Sequence, residues 1–325
     1  MTPEPIETRD KFPSTEEWMR LLEAAPPSDE DVKTERELLR RYALEGEFAF
    51  TRRTGSEGTM RAGTALIYMR SMIGVSVRHA WREVAPRTED ALQAWLQYSI
   101  NDYVSLKLDI WLRYKILDDV ENGKRRQYGV KSQVRDDLYT MCNLMRCGWM
   151  VEAKDIFSSV IDLTPLGVYT DNKNGALRRQ TDHMIVDIAS NYWQLDAPSS
   201  IFSSAEDDEI IKYAREYCLS DDPHVISNVL VLLLDRHTHQ VKPAFRKPNN
   251  DFDKLWSVHD PYEVVFIMRI RELYGLENPK IEHVLMKPIV GELLEGPRPS
   301  LPEPEGPVVE RIISDMGIDD PLLVA

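Results

Sequence analysis

Cysteine is scarce in this 325-residue chain: Cys142, Cys147 and Cys218 are the only three. A small, odd number of thiols argues against a disulfide framework and for a reducing compartment. The opening stretch MTPEPIETRD is polar and Pro-containing, without the charged-then-apolar order of a secretory signal. The longest apolar run, Val229 to Leu234, is far too short to span a bilayer. These absences lead us to expect a cytoplasmic protein without a membrane partner. Positive charge is also in deficit. Lys and Arg number 40 against 54 Asp and Glu, a formal net charge of −14. That balance opposes nucleic acid as the main partner and suits a basic protein surface.

The usual marks of catalysis are missing as well. The chain contains no G-x-S-x-G, no P-loop, no G-x-G-x-x-G and no H-E-x-x-H, so serine hydrolysis, nucleotide binding and zincin chemistry lack their signatures. No alternating strand pattern of useful length occurs, and no fixed period supports a repeat array.

What is present is helical periodicity. A short helix is expected over Thr15–Ala24, and a longer one runs from a cap at Ser28 or Asp29 toward Phe50, with Val32, Leu38, Leu39 and Tyr42 inside. Arg52–Gly58 reads as a loop, and Met60–Val84 as a helix with an Arg-rich outer face. A long helix starts near Pro86 and reaches about Val120. Its apolar stripe (Trp95, Ile100, Tyr103, Leu106, Ile110) is widened by Val104, Leu108 and Trp111, which predicts burial on most sides. Val130–Met145 and Met150–Ile161 form a hairpin broken at Gly148. Thr164–Gly175 is a loop and a possible boundary. Leu177–Leu195 is helical, Ser203 or Ser204 caps the next helix, and Pro223 starts another through Leu234. The expected fold is all-α: an irregular multi-helix bundle of helical hairpins without a substantial β-sheet. It is divided into an N-terminal half (1–163) and a C-terminal half (176–325) with a Pro-rich acidic tail, or is one continuous domain.

The stretch from Asp260 to Pro288 has the clearest helix boundaries. Asp260 can cap, Pro261 suits the first position, and Glu263 can reach back as a capping-box partner. Val264, Phe266, Ile267, Ile270 and Leu273 make a buried stripe, with Arg269, Arg271 and Glu272 mostly on the remaining surface. Gly275 is a natural C-cap, and Asn278-Pro279 opens a short second helix that Pro288 ends.

Candidate sites are few. Glu206-Asp207-Asp208-Glu209 is an acidic run that could meet a basic partner, or is simply a solvated first turn matched to the helix dipole. Asp235, His237 and His239 form the best metal-like cluster, since His-x-His in a loop can offer two imidazoles to one ion. No spacing supplies a further ligand, and a polar helix terminus is the competing reading. Asp118-Asp119 and Asp136-Asp137 invite an Mg²⁺ reading, but Asn122 stands where a further acid is needed, which favours solvated helix ends. Cys142 and Cys147 lie five apart and read as small buried hydrophobes. The arginines between Arg52 and Arg87 are expected to pair with neighbouring acidic faces.

The pattern Asp260-Pro261-Tyr262-Glu263, Met268-Arg269-Ile270-Arg271-Glu272, Tyr274-Gly275-Leu276, Asn278-Pro279 and His283-Val284-Leu285-Met286 resembles the C-terminal region of helical immunity proteins encoded beside bacterial polymorphic or secreted toxins. The resemblance implies a role and no functional residues. A non-enzymatic protein without cofactors would bind a cognate toxin, one with a basic active-site cleft that acts inside the cell, and block it. The alternatives are a helical adaptor or scaffold protein, and a metal-dependent helical enzyme built on Asp235, His237 and His239.

Overall fold

The computed structural model describes residues 2–4, 7–8, 12–23, 29–52, 55–70, 89–125, 133–169, 177, 179–201, 208–241, 251–252 and 257–320. They are predominantly helical. In chain order the elements are α1 (Thr15–Glu23), α2 (Asp29–Glu45), β1 (Phe48–Thr51) and β2 (Glu57–Met60). A helix α3 begins at residue 62 and is described to residue 70. Then come α4 (Glu89–Glu121), α5 (Val134–Arg146), α6 (Met150–Leu163) and α7 (Gln180–Trp193). They are followed by α8 (Glu209–Tyr217), α9 (Pro223–Gln240), α10 (Tyr262–Leu273) and α11 (Glu305–Met316). The chain divides into two compact units that are both discontinuous in sequence. One comprises Met1–Leu22, Val84–Thr88 and Gly129–Gly296, the other Glu23–Glu83, Glu89–Tyr128 and Pro297–Ala325. Residues 164–175, the boundary expected from sequence, fall inside the first.

In the second unit, α4 runs uninterrupted for 33 residues because no Gly or Pro breaks it. Trp95, Leu96, Ile100, Tyr103, Val104, Leu106, Leu108 and Ile110 are all buried, as the widened stripe implied. The stripe loosens toward the end of the helix, where Tyr114 is exposed. An ion cluster replaces it there. Asp109 Oδ2 accepts from Arg113 Nε at 2.8 Å, one helical turn on, and from Arg70 Nη1 at 2.6 Å. The fully buried Arg113 and the outer-face Arg70 thus neutralise one carboxylate, in the manner expected of the basic stretch. Arg52 and Arg61 are exposed, while Arg53 and residues 71–88, with Arg78, Arg82 and Arg87, lie outside the described residues.

The same unit holds the one sheet among the described residues, an antiparallel hairpin pairing Phe48 with Met60 and Thr51 with Glu57. Sequence reading ran α2 on to Phe50, but the helix stops at Glu45. Gly46 follows in a left-handed conformation, φ 78°, and Phe48 is buried while Ala49 is exposed. Strands of four residues are too short to show alternation. Against α2 lies α11, where Tyr42 donates to Asp315 Oδ2 at 2.7 Å and Arg311 braces the same carboxylate from Nε at 2.8 Å.

In the first unit, α10 packs against α5, α7 and α9. It is buried nearly all round, polar residues included. Asp260 and Glu263 are closed to solvent, and so are Arg269 and Arg271, which corrects their assignment to the surface. Asp260 does not cap the helix: Pro261 holds the N-cap position and no side-chain cap bond forms. Its carboxylate instead accepts from Arg146 on α5, from Nη2 and from Nη1 at 3.3 Å, and from the Tyr139 hydroxyl at 2.7 Å. Burial pushes the Tyr139 hydroxyl well above its usual range, which keeps it a donor. Glu263 likewise reaches no cap and faces His237 on α9.

The arginines on α10 bind backbone carbonyls at and beyond the ends of neighbouring helices. Arg269 donates to Met145 O at 2.9 Å, Arg146 O at 3.0 Å and Leu294 O at 3.0 Å, so it closes the end of α5. Arg271 donates to Cys218 O at 2.9 Å and Ser220 O at 2.7 Å beyond the end of α8, and to Glu277 O at 2.7 Å. The C-terminus of α10 is a complete Schellman motif: Leu276 N–H donates to Arg271 O and Gly275 N–H to Glu272 O, both at 2.9 Å. Gly275 occupies the left-handed position at φ 73°, the C-cap expected of it. The segment after it is irregular up to a 3-10 turn at Val284–Met286, so Asn278-Pro279 opens no α-helix. Asn278 is held by Met268 O, to which its amide donates at 2.8 Å.

The buried Arg146–Asp260 pair tests this arrangement. Arg146→Met is expected to cost about 3–5 kcal/mol because it strands Asp260. Pairing it with Asp260→Leu should recover most of that loss, a coupling that urea unfolding of the four-member double-mutant cycle measures directly.

Candidate functional site

The acidic run proposed from sequence is only partly described. Glu206 and Asp207 lie outside the described residues. Asp208 is the N-cap of α8, so the helix begins at Glu209 and not at a Ser203 or Ser204 cap. Asp208 Oδ1 accepts from Ile211 N–H at 2.8 Å, and its Oδ2 accepts from Arg236 Nε at 2.6 Å. Arg236 also reaches Asp251 Oδ2 at 2.6 Å and Thr181 Oγ1 at 3.1 Å. One oxygen of Asp208 thus caps α8 and the other ties it to Arg236 on α9. Glu209 stands exposed beside it.

The Asp235, His237 and His239 cluster is dispersed by the helix that carries it. Sequence reading ended α9 at Leu234, but it continues to Gln240. Residues two apart on a helix point to nearly opposite sides. His237 is turned fully inward, its Nδ1 2.8 Å from Glu263 Oε1 and its Nε2 3.0 Å from Ser257 O, with the ring stacked on Phe252 at 3.6 Å. A carbonyl only accepts, so Nε2 donates, and one proton bridges Nδ1 and the Glu263 carboxylate. His239 faces the other way, onto Glu7 O at 2.8 Å. Asp235 accepts from the Thr8 hydroxyl at 2.8 Å and stands 3.4 Å from His283 Nε2. Among the described residues no three His, Cys, Asp or Glu side chains converge on a point that would hold a metal ion.

The remaining sequence candidates also serve the fold. Asp118 binds the Asn122 amide at 2.8 Å, at a solvated helix end. Asp137 departs from that reading: it is buried, and the Tyr169 hydroxyl donates to it at 2.7 Å. All three cysteines are buried and unbridged, and burial pushes the Cys142 thiol well up, so it stays protonated and inert.

A different surface stands out, at the far end of α10. Leu273 and Tyr274 are exposed there, and so is Leu219 in the turn after α8. Arg271 places Leu219 by holding the carbonyls on either side of it, those of Cys218 and Ser220. Tyr192, near the end of α7, meets the Tyr274 ring edge-on at 5.6 Å. The neighbouring hook, from Gly275 to Leu293, encloses a cleft of about 710 Å³ against Met268 and Glu272. Leu276, Ile281, Met286 and Leu293 contribute apolar lining; Glu277 and Glu292 bring carboxylates to it, and Lys280 is its lone basic residue. Sequence reading treated this segment as the closing hook of a core helix. What it missed was that Arg271 and most of the Arg269 donors are spent on carbonyls, with Arg269 also pairing Glu272, while the exposed side chains of the hook are Glu277, Lys280, Glu282, Lys287 and Glu292.

No family model matches the chain, and no curated protein or solved structure matches it.

Two measurements separate the buried groups from the surface. His237→Ala should destabilise the protein by about 3 kcal/mol by stranding Glu263, whereas His239→Ala should change it by less than about 0.5 kcal/mol; chemical unfolding compares them. His259 supplies a pH dependence. It is packed between Phe12 and Trp18, with ring centroids 4.7 and 4.8 Å away. Burial, aided by the neighbouring His237, lowers it from 6.5 to about 4. The unfolded chain therefore takes up this proton first as pH falls. Stability is full above pH 6.5 and declines toward pH 4, by about 3 kcal/mol in all. His259→Phe should remove that part of the decline, as urea unfolding at pH 7 and near pH 4.5 will show.

Proposed function

We propose that this is a non-enzymatic protein-binding protein, specifically an immunity protein that binds and blocks a cognate bacterial toxin. The observation that carries the reading is the end of α10. Exposed Leu273 and Tyr274, with Tyr192 beside them, adjoin a cleft edged by Glu272, Glu277 and Glu292. Aromatic anchors inside a polar rim are the usual anatomy of a protein-binding hot spot. Leu273, Tyr274 and most of the cleft lining lie within the stretch that resembles immunity proteins, and the net charge of −14 gives the molecule a long-range field that attracts a basic partner. A toxin that handles phosphate-bearing or otherwise acidic substrates presents such a basic cleft, and an acidic protein seated over it excludes the substrate.

The central test is co-expression with the product of the adjacent reading frame, scored for cell survival and co-purification. Survival together with a stable complex is the expected result. A harmless neighbour that forms no complex would contradict the reading and favour a general helical adaptor. Within a complex, the association rate should fall roughly tenfold or more between low and high salt, because steering by charge is screened; stopped-flow or surface-based kinetics would measure it.

A further inference from the structure

We infer that α1 is a pH-gated strap: Phe12 and Trp18 close over His259 near neutral pH, and protonation of that ring lifts residues 12–22 away in acid. His259 is fully closed to solvent, with the Phe12 and Trp18 rings 4.7 and 4.8 Å from it. Trp18 is fully buried too, whereas Leu21 on the same helix is exposed. α1 has nine residues, and a helix this short has little stability of its own. It makes no extensive packing with another described helix. Its hold on the first unit therefore depends on what Phe12 and Trp18 rest against.

A charged His259 opposes that closure. Neither ring nitrogen has a hydrogen-bond partner among the described residues, so an imidazolium there would bury two N–H groups without acceptors. His237 on α9, bridged to Glu263 on α10, disfavours a second positive charge beside it. The Pro13 backbone favours the charged ring, with less effect. Asp260, next in the chain, is committed to Arg146. The charges of α1 itself, Glu16, Glu17 and Arg20, are exposed. Two aromatic faces attract a cation only weakly, and burial prevails: the covered ring takes its proton near pH 4, against 6.5 in water. The open form thus binds the proton first as pH falls. Closure is strongest above pH 6.5 and weakens toward pH 4, by about twentyfold between pH 7 and pH 5.

The contacts at residues 7 and 8 respond less. His239 Nε2 donates to Glu7 O at 2.8 Å, and it does so whether or not the other ring nitrogen is protonated. Thr8 donates to Asp235 at 2.8 Å beside His283. Burial lowers His283, but Asp235, 3.4 Å from its Nε2, supports the charged ring. The gate is therefore at His259. Once open, it presents Trp18, Phe12 and the slot they filled to a partner or a protease, a surface that the closed chain hides.

The test is hydrogen exchange by mass spectrometry on the full chain at pH 7 and pH 5, with labelling times scaled for the pH dependence of chemical exchange. In the wild type, amides of 15–22 should be less protected than those of α10 at both pH values, and should lose protection about twentyfold at pH 5. His259→Phe fills the slot without titrating and should reduce that loss to less than about twofold. His283→Gln keeps a donor for Thr8 without titrating and should leave most of it. Unchanged protection of 15–22 between the two pH values in the wild type would overturn the inference. So would protection there equal to that of α10, which would mean that α1 opens only when the whole unit unfolds. A full loss that survives His259→Phe, or one that vanishes in His283→Gln, would place the response elsewhere and overturn it as well. The wild-type comparison stands even if a variant does not fold.

Discussion

The first unit depends on charge buried along a single helix. The segment of Asp260 and α10 places Asp260, Glu263, Arg269 and Arg271 out of water, and the groups that answer them come from α5, α9 and the end of α8. Asp260 takes α5 through Arg146, and Glu263 takes α9 through His237. Arg269 and Arg271 take the carbonyl ends of α5 and α8. Burying a charge without a partner costs several kcal/mol. Each neighbour must therefore arrive in one register, because a shift by one residue strands a charge. Apolar packing tolerates slippage; these contacts do not.

The arginine contacts join fold to surface. A helix end leaves carbonyls without partners, and a planar guanidinium with several donors can satisfy several at once. Arg271 does so for the turn after α8 and for the hook, and in doing so sets Leu219, Tyr274 and the cleft beside one another. The same side chain that closes the core thus shapes the exposed end on which the functional proposal rests. The Asp208–Arg236–Asp251 cluster does comparable work between α8 and α9, which is why an acidic residue that looked free for a partner in sequence is engaged in the structure.

Helices were legible wherever apolar spacing was regular and a Gly or Pro marked the boundary. The α5–α6 break at Gly148, the Pro223 start of α9 and the Gly275 cap follow from local backbone preference, which a sequence carries openly. Other features were not legible. The Phe48–Met60 hairpin is too short for a period. The end of α9 reads as polar because His237 and Arg236 are buried by partners at Glu263, Asp208 and Asp251, distant in sequence. Arg269 and Arg271 look like a solvated face, since nothing in the chain announces that helix ends will converge on them. Asp260 satisfies every local rule for a cap, yet a long-range ion pair outweighs the cap. Apart from the hairpin, these errors share a cause: polar residues were assigned to the surface by default, and in the first unit they are the contacts between helices.

Native-state hydrogen exchange across the first unit tests this account most directly, comparing the wild type with Arg271→Leu. If buried charge on α10 holds its neighbours, amides of 218–220 and 275–293 will lose protection by orders of magnitude in the variant, while the amides of α5 and the first turns of α10 keep theirs, since opening is local. Unchanged protection in the hook and the α8–α9 turn would contradict it, and would mean that apolar packing alone positions that end of the molecule.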